Sequence, residues 1–426
     1  MILESWLAYN SMIVFFKFES YLGGGETLVT RFSQYLHNNR IPFFVFCKKD
    51  SYIHKGLLEV GLGSDHFCAV EEECNYYYLT NSERLKLLHK FVDALPKADE
   101  FKFVTSSMRD LYMISDLCKV VPGSVTHLIL HNQDHRYVCR SLWGIVKEMM
   151  GARREFNNEK PMRCNYQILN RLNQNRSLIS MSYIITELWK DDLGIIIPED
   201  RIVSLPAFRG STPNYGSNDK TILWIGRLVD FKFASLFSLL NFIRDNESYH
   251  LTIVGDGDRQ FFMDYVNKNG IPMDRITMAG EVPYNDLPGV IAKHAIGYAA
   301  GTSIIEIAQQ GKPVIMALQS NKTRKFKNDI CGGLFYNTSK GNLGEDLCIN
   351  REEDITTTVA EAIKEIEQNY QLASRKCFEY VNQEYNQDKN FDEYLRIIER
   401  APRFESKDIQ VPFSGYLRRF LFRKTN

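Results

Sequence analysis

No stretch of the 426-residue chain is apolar over the ~18 residues needed to cross a bilayer, and its first residues place Glu4 in a mixed segment with no basic region ahead of an apolar one. The expectation is a protein that is neither exported nor membrane-spanning. Charge of one sign is missing as well: 52 Lys and Arg balance 52 Asp and Glu, so no overall field steers the chain toward nucleic acid or an acidic polymer. Any anion site must come from a local cluster. The nine cysteines are odd in number, scattered, and never spaced Cys-x-x-Cys, which supports neither a disulfide framework nor a zinc site. Free thiols in a reducing compartment, the cytosol, are expected. There is no internal repeat and no low-complexity tract.

What the chain does contain is short apolar runs alternating with helix-length amphipathic runs, the pattern of strands and helices wound around a parallel sheet. Strands are expected at 12–18, 43–47, 101–105, 125–130, 178–181 and 202–205. After the first of them, Leu22-Gly23-Gly24-Gly25-Glu26 precedes apolar residues at Leu28, Val29, Phe32, Tyr35 and Leu36, a helical spacing. The run Arg209 to Asn218 is rich in turn formers and reads as a linker. Beyond it the alternation restarts, with strands expected at 221–225, 250–254, 275–279, 295–300, 313–317 and 333–336, followed by a largely helical stretch from Glu352 to Arg400. The domain expectation is 1–208, a linker 209–220, a second domain 221–385, and C-terminal helices 386–426 suited to cross back to the first. Ligands of such doubly wound sheets bind beyond the carboxyl ends of the strands, and two such domains facing each other leave a cleft.

Two segments carry most of the chemistry. Gly301-Thr302-Ser303-Ile304-Ile305-Glu306 reads as a glycine turn, a helix cap at Thr302 and Ser303, and an amphipathic helix with one inward acid. Free N–H groups at that helix start suit a phosphate, and the acid a turn later suits the hydroxyls of the same ligand. Upstream, Trp224-Ile225-Gly226-Arg227-Leu228-Val229-Asp230-Phe231-Lys232 follows a strand and sets an Arg and a Lys five apart, two cations for a diphosphate. Asp256-Gly257-Asp258 is better read as the start of a helix capped by Asp258 than as a metal-binding Asp-x-Asp pair. No metal is expected. The half-fingerprint Gly255-x-Gly257-x-x-Gln260 lacks the third glycine of a dinucleotide site.

In order and separation these motifs resemble those of a family 4 glycosyltransferase of GT-B fold, and the resemblance covers nearly the whole chain. It rests on the turn Gly23 to Glu26, the Gly-Arg-Leu with its later Lys, the strand end Ile253-Val254-Gly255-Asp256-Gly257, and the run Ser303 to Ile315. The resemblance implies two Rossmann-like domains facing across a cleft, and transfer of a hexose-like sugar from a nucleotide diphosphate donor to a glycan or lipid-linked glycan with retention of configuration. It implies neither metal nor cofactor, and by analogy a place in bacterial surface polysaccharide assembly, such as capsule or O-antigen.

By the same resemblance Arg227 and Lys232 hold the donor diphosphate, Glu306 takes the ribose hydroxyls, and Gly23 and Gly24 approach a phosphate or acceptor closely. His131 falls where the family often carries a His near the reacting sugar, with Asp134 and His135 nearby, so the choice among them stays open. The family's first acid, eight residues before Glu306, is replaced here by Tyr298, which supplies at most a hydroxyl to the donor. That departure keeps a nucleotide-sugar-binding scaffold and a nucleotide-sugar epimerase open beside the transferase. The tail Tyr416-Leu417-Arg418-Arg419-Phe420-Leu421-Phe422-Arg423-Lys424 either lies peripherally on an anionic membrane surface or packs its aromatics on the protein.

Overall fold

The computed structural model describes residues 11–18, 24–71, 76, 79–130, 163–208, 210–320, 325–406 and 409. They divide between two compact units: Met1–Met181, Ile185–Val203 and Phe391–Asn426 in the first, Ser182–Ile184 and Ser204–Asn390 in the second.

The first unit alternates β1 (Ser11–Lys17), α1 (Gly24–Asn38), β2 (Phe43–Lys48), α2 (Tyr52–Glu59), β3 (Phe67–Val70), α3 (Asn81–Ala94), β4 (Glu100–Thr105), α4 (Met108–Leu117), β5 (Gly123–Ile129), α5 (Arg163–Gln174), β6 (Leu178–Ser180) and α6 (Tyr183–Leu193), the last of which begins in the three residues assigned to the second unit. Its sheet runs β3-β2-β1-β4-β5-β6, every pair parallel. Helices cover both faces of such a sheet, which is why β1 and β2 are nearly continuous apolar runs with no buried-exposed alternation. Helix starts are written locally: Ser51 accepts from the His54 N–H, and Thr80 and Glu83 form a reciprocal capping box.

The second unit repeats the plan with β7 (Thr221–Ile225), α7 (Asp230–Asp245), β8 (His250–Val254), α8 (Arg259–Lys268), β9 (Ile276–Gly280), α9 (Leu287–Ala292), β10 (Ile296–Ala299), α10 (Ser303–Ala308), β11 (Val314–Met316), α11 (Val359–Gln368) and α12 (Tyr370–Glu384). Its sheet order is β11-β10-β7-β8-β9, again all parallel. Residues 204–220 belong to this unit, and the described ones among them hold no helix or strand yet are docked on it: the Asn214 N–H donates to the Gln310 carbonyl at 2.9 Å and the Ser211 hydroxyl to the Gln309 carbonyl at 2.6 Å.

The last helix, α13 (Gln387–Arg400), lies mostly in the first unit, where Phe391 stacks on Phe32 of α1 with ring centroids 4.5 Å apart. Two expected strands are not strands. Residue 202 makes only an isolated bridge to Ser180, and 334 only one to Ile315 before a 3-10 turn at Phe335–Asn337. One real strand, β3, escapes the pattern because it is four residues long at the sheet's edge and half of it is only partly buried.

Candidate functional site

In the second sheet the chain order reverses between β7 and β10: β8 and β9 follow β7 on one side, while β10 and β11 lie on the other. At such a switch point the two connections leave in opposite directions and open a crevice at the carboxyl ends. Ile225 pairs with Ala299, so Gly226 and Ala300 leave the sheet side by side. The residues expected to bind an anion sit on these two exits.

The loop after β7 is held by backbone. The Gly226 N–H donates to the Val254 carbonyl at 3.0 Å and the Leu228 N–H to Asp256 at 2.9 Å, while the Asp258 N–H returns to the Leu228 carbonyl at 2.9 Å. This approach is possible because Gly255 and Gly257 adopt φ of 130° and 148°, and a Cβ on either would lie 2.2 Å from the Gly226 or Leu228 carbonyl oxygen. The Asp256 to Asp258 segment is thus a brace. Asp258 caps α8 by accepting from the Phe261 N–H at 2.9 Å, and among the described residues no group of three or more His, Cys, Asp or Glu side chains is placed to hold a metal ion.

Arg227, on this braced loop, is exposed and has no acidic partner among the described residues. Lys232 sits in the first turn of α7, where the helix dipole disfavours a cation. Its stem lies over Gly226, and its Nζ donates to the Ala300 carbonyl at 3.4 Å, tying the β7 loop to the end of β10. Burial, and next the charge of Arg227, lower the Lys232 ammonium to about 8. Two cations held together with no carboxylate between them form a site that an anion would stabilise.

At the other exit Gly301 takes φ of 75°, its N–H donating to the Leu343 carbonyl at 2.8 Å. Thr302 and Ser303 follow, and among the described residues neither N–H has an acceptor. The expected cap is corrected here: Thr302 is itself helical (φ −61°, ψ −20°) and its hydroxyl caps nothing. A capping side chain needs an extended backbone at that position, which the tight glycine turn does not allow. The helix that follows, α10, is only six residues long. Glu306 is partly buried on it, Oε1 accepting from the Tyr284 hydroxyl at 3.0 Å and Oε2 from the Gln309 amide at 2.5 Å.

Tyr298 is not at the site. It lies within β10, is 0% exposed, and stacks on Trp224 (5.8 Å between centroids) in the apolar core of the unit. Its hydroxyl makes no hydrogen bond of ordinary geometry, and the neighbouring Ser235 hydroxyl is engaged with Leu318, donating to its carbonyl and accepting from its N–H, each at 2.8 Å. The family spacing of eight residues back from Glu306 reaches past the connection, which here is only residues 300–302, and ends inside the sheet. Replacing Tyr298 by Phe removes an unpaired buried hydroxyl and is expected to leave ligand binding unchanged and Tm the same or higher. Loss of binding in that variant, measured by calorimetry, would return Tyr298 to the site.

Gly24 is the first residue of α1, in the first unit, two residues before Glu26, whose carboxylate pairs with Lys17 at 3.4 Å in a buried contact. Gly23 and His131 lie outside the described residues, as does the tail 416–424. Among the described residues no helix is long and apolar enough to cross a membrane.

Solved structures with this arrangement exist. Anabaena HepE in complex with UDP and glucose is similar over 91% of this chain and 99% of its own at a TM-score of 0.56 and 12% identity. The chain has the GT-B fold. A glycosyltransferase from Rickettsia africae matches over 92% and 98% at a TM-score of 0.57 and 14% identity, and sucrose-phosphate synthase from Thermosynechococcus elongatus over 91% and 98% at 0.56 and 13%. No family model and no curated protein sequence matches the chain. Sequence reasoning put Arg227, Lys232, Gly301, Thr302 and Ser303 at strand ends, and the sheet order brings those ends side by side; it did not find Tyr284 or Gln309, which both donate to Glu306. Nothing in Pro283-Tyr284-Asn285-Asp286 beyond its turn-forming composition signals that contact.

Proposed function

We propose that the protein is a glycosyltransferase that moves a hexose-like sugar from a nucleoside diphosphate donor to a glycan or lipid-linked glycan, with retention and without a metal ion or cofactor. In this reading Arg227 and Lys232 hold the diphosphate, the N–H groups of Thr302 and Ser303 face its oxygens, and Glu306 takes the ribose. The observation that carries the proposal is the Lys232 ammonium, lowered to about 8 beside exposed Arg227 at the switch point of the second sheet, with no acid between them. Breaking the bond from an anomeric carbon to the diphosphate builds charge on the departing oxygen. Fixed cations in a partly desolvated site stabilise that charge more than they stabilise the bound donor.

The fold, and the UDP and glucose in complex with HepE, support the same class of donor. Surface polysaccharide assembly, action in the cytoplasm, and contact of the basic aromatic tail with the inner membrane face are parts of the same proposal. One observation favours a second reading, a nucleotide-sugar-binding scaffold with little catalysis: the connection of residues 300–302 has no room for the acid that the resemblance leads one to expect.

Release of nucleoside diphosphate from a panel of nucleotide hexoses, with and without oligosaccharide and lipid-diphosphate acceptors, separates the readings. The transferase requires acceptor-dependent release that persists in EDTA, with the product anomer matching the donor's. Binding without release would instead establish the scaffold, and acceptor-independent interconversion of the donor an epimerase.

A further inference from the structure

The carboxylate of Glu306 is already occupied in the ligand-free protein, and one of its donors is unusual. Gln309 lies one turn along the same helix and is a local partner. Tyr284 comes from elsewhere, on the 3-10 turn Tyr284–Asp286 that follows β9 after Pro283, and its side chain is 60% exposed. Its hydroxyl donates to Glu306 Oε1 at 3.0 Å, a bond that ties this exposed ring to a carboxylate 22 residues further along the chain. A phenol hydroxyl donating to one carboxylate oxygen is the geometry a sugar hydroxyl would adopt there.

Gln309 is carried on the same helix as Glu306, so its bond on Oε2 is kept when a diol enters, whereas Tyr284 reaches Oε1 from a separate turn. The bond on Oε1 is the one a vicinal diol contests. Exchanging one hydroxyl donor for another at the same oxygen is nearly neutral, and the gain on binding then comes from the diol's second hydroxyl and from what the released ring does next. A flat exposed ring within one side-chain length of a ribose ligand is suited to lie against the attached base.

Building on the reading of Glu306 as the ribose ligand, we propose that the Tyr284 hydroxyl occupies the place of a ribose hydroxyl in the ligand-free protein, and that nucleotide binding releases the ring to become the stacking face for the base. Tyr284 is then a specificity-determining residue: it favours ligands that bring both a vicinal diol to displace it and a planar base to receive it.

The test measures dissociation constants of UDP, GDP and ADP, of their 2′-deoxy counterparts, and of methyl diphosphate, for wild type, Tyr284→Phe and Tyr284→Ala. Because Tyr284 is exposed, both variants are expected to fold with unchanged Tm. Tyr284→Phe removes the competitor and keeps the face, so the preferred ribonucleotide should bind at least as tightly, by up to about threefold. Tyr284→Ala should weaken it about tenfold or more. Methyl diphosphate, having neither base nor ribose, should bind all three proteins alike.

Equal affinity of wild type and Tyr284→Ala for every nucleotide overturns the proposal. So does weaker binding in Tyr284→Phe than in wild type, which would make the hydroxyl a direct ligand contact. Arg227→Ala run in parallel separates the two levels: if it loses nucleotide while Tyr284→Ala does not, only the role of Tyr284 fails, and if it too is without effect, the diphosphate reading fails.

Discussion

Arg227→Ala is expected to lower kcat/KM for sugar transfer about 10²- to 10³-fold, the loss typical when one fixed donor to a developing oxyanion is removed. Arg227 is exposed, so the substitution leaves no cavity, and Tm should not change. Arg227→Lys should recover only part of the loss, because a single ammonium cannot reproduce the paired N–H geometry of a guanidinium on a phosphate. Lys232→Ala should cost a similar factor. The double variant should cost less than the product of the two, since both cations act on the same charge and Arg227 already depresses its neighbour's proton affinity. Steady-state kinetics of the three variants against one donor measures this directly. A rise in KM with kcat untouched in Arg227→Ala would mean that the guanidinium holds donor and transition state equally and does not act on the charge of the departing oxygen.

The second large effect runs in the opposite direction for stability. Lys232 carries a pKa lowered from 10.5 to about 8, chiefly by burial, so folding the protein at neutral pH forces a partly desolvated ammonium against a helix start and beside an arginine. Lys232→Met, which keeps the stem and discards the charge, should therefore stabilise the ligand-free protein by about 1–3 kcal/mol at pH 7. The sign with pH follows from proton counting. Between pH 8 and 10.5 the unfolded chain holds a proton on this side chain that the folded protein has released, so wild-type stability relative to the variant rises through that window. Denaturant unfolding of both proteins at pH 7 and pH 10 should show the gap closing. The same variant should lose the stabilisation that nucleoside diphosphate gives wild type. A protein that becomes more stable and less able to bind is the mark of a charge kept for a ligand, whereas destabilisation at pH 7 would make Lys232 a structural residue.

Much of this arrangement was legible in the residues because it depends on local rules. Residues 221–225 and 250–254 are strands as expected, since each is a short apolar run with turn formers on either side and lies inside a parallel sheet, away from its edges. Asp258 could be read as a cap because an acid at the first helical boundary has few other uses. Arg227 and Lys232 could be paired because a loop and a first helical turn place residues five apart on the same strand exit.

The misreadings have a common origin in tertiary context. Residues 202–205 and 333–336 are apolar enough for strands, but each meets the edge strand of its sheet, β6 or β11, at a single bridge and does not extend the ladder. Tyr298 was placed by a family spacing that, with a connection of only residues 300–302, ends within a strand of this chain. The hydroxyl of Tyr284 reaches Glu306 across a separation of 22 residues, and no periodicity encodes such a contact.

The central claim is that Arg227 and Lys232 form the diphosphate site, and calorimetric titration of the full chain with nucleoside diphosphates tests it most directly. At pH 7 one of UDP, GDP or ADP should bind wild type at least about 100-fold more tightly than Arg227→Ala. Binding to wild type should weaken as pH rises past 8 and take up a proton, while Lys232→Met should bind weakly at every pH. Equal affinities in wild type and Arg227→Ala, with no proton uptake above pH 8, would contradict the account.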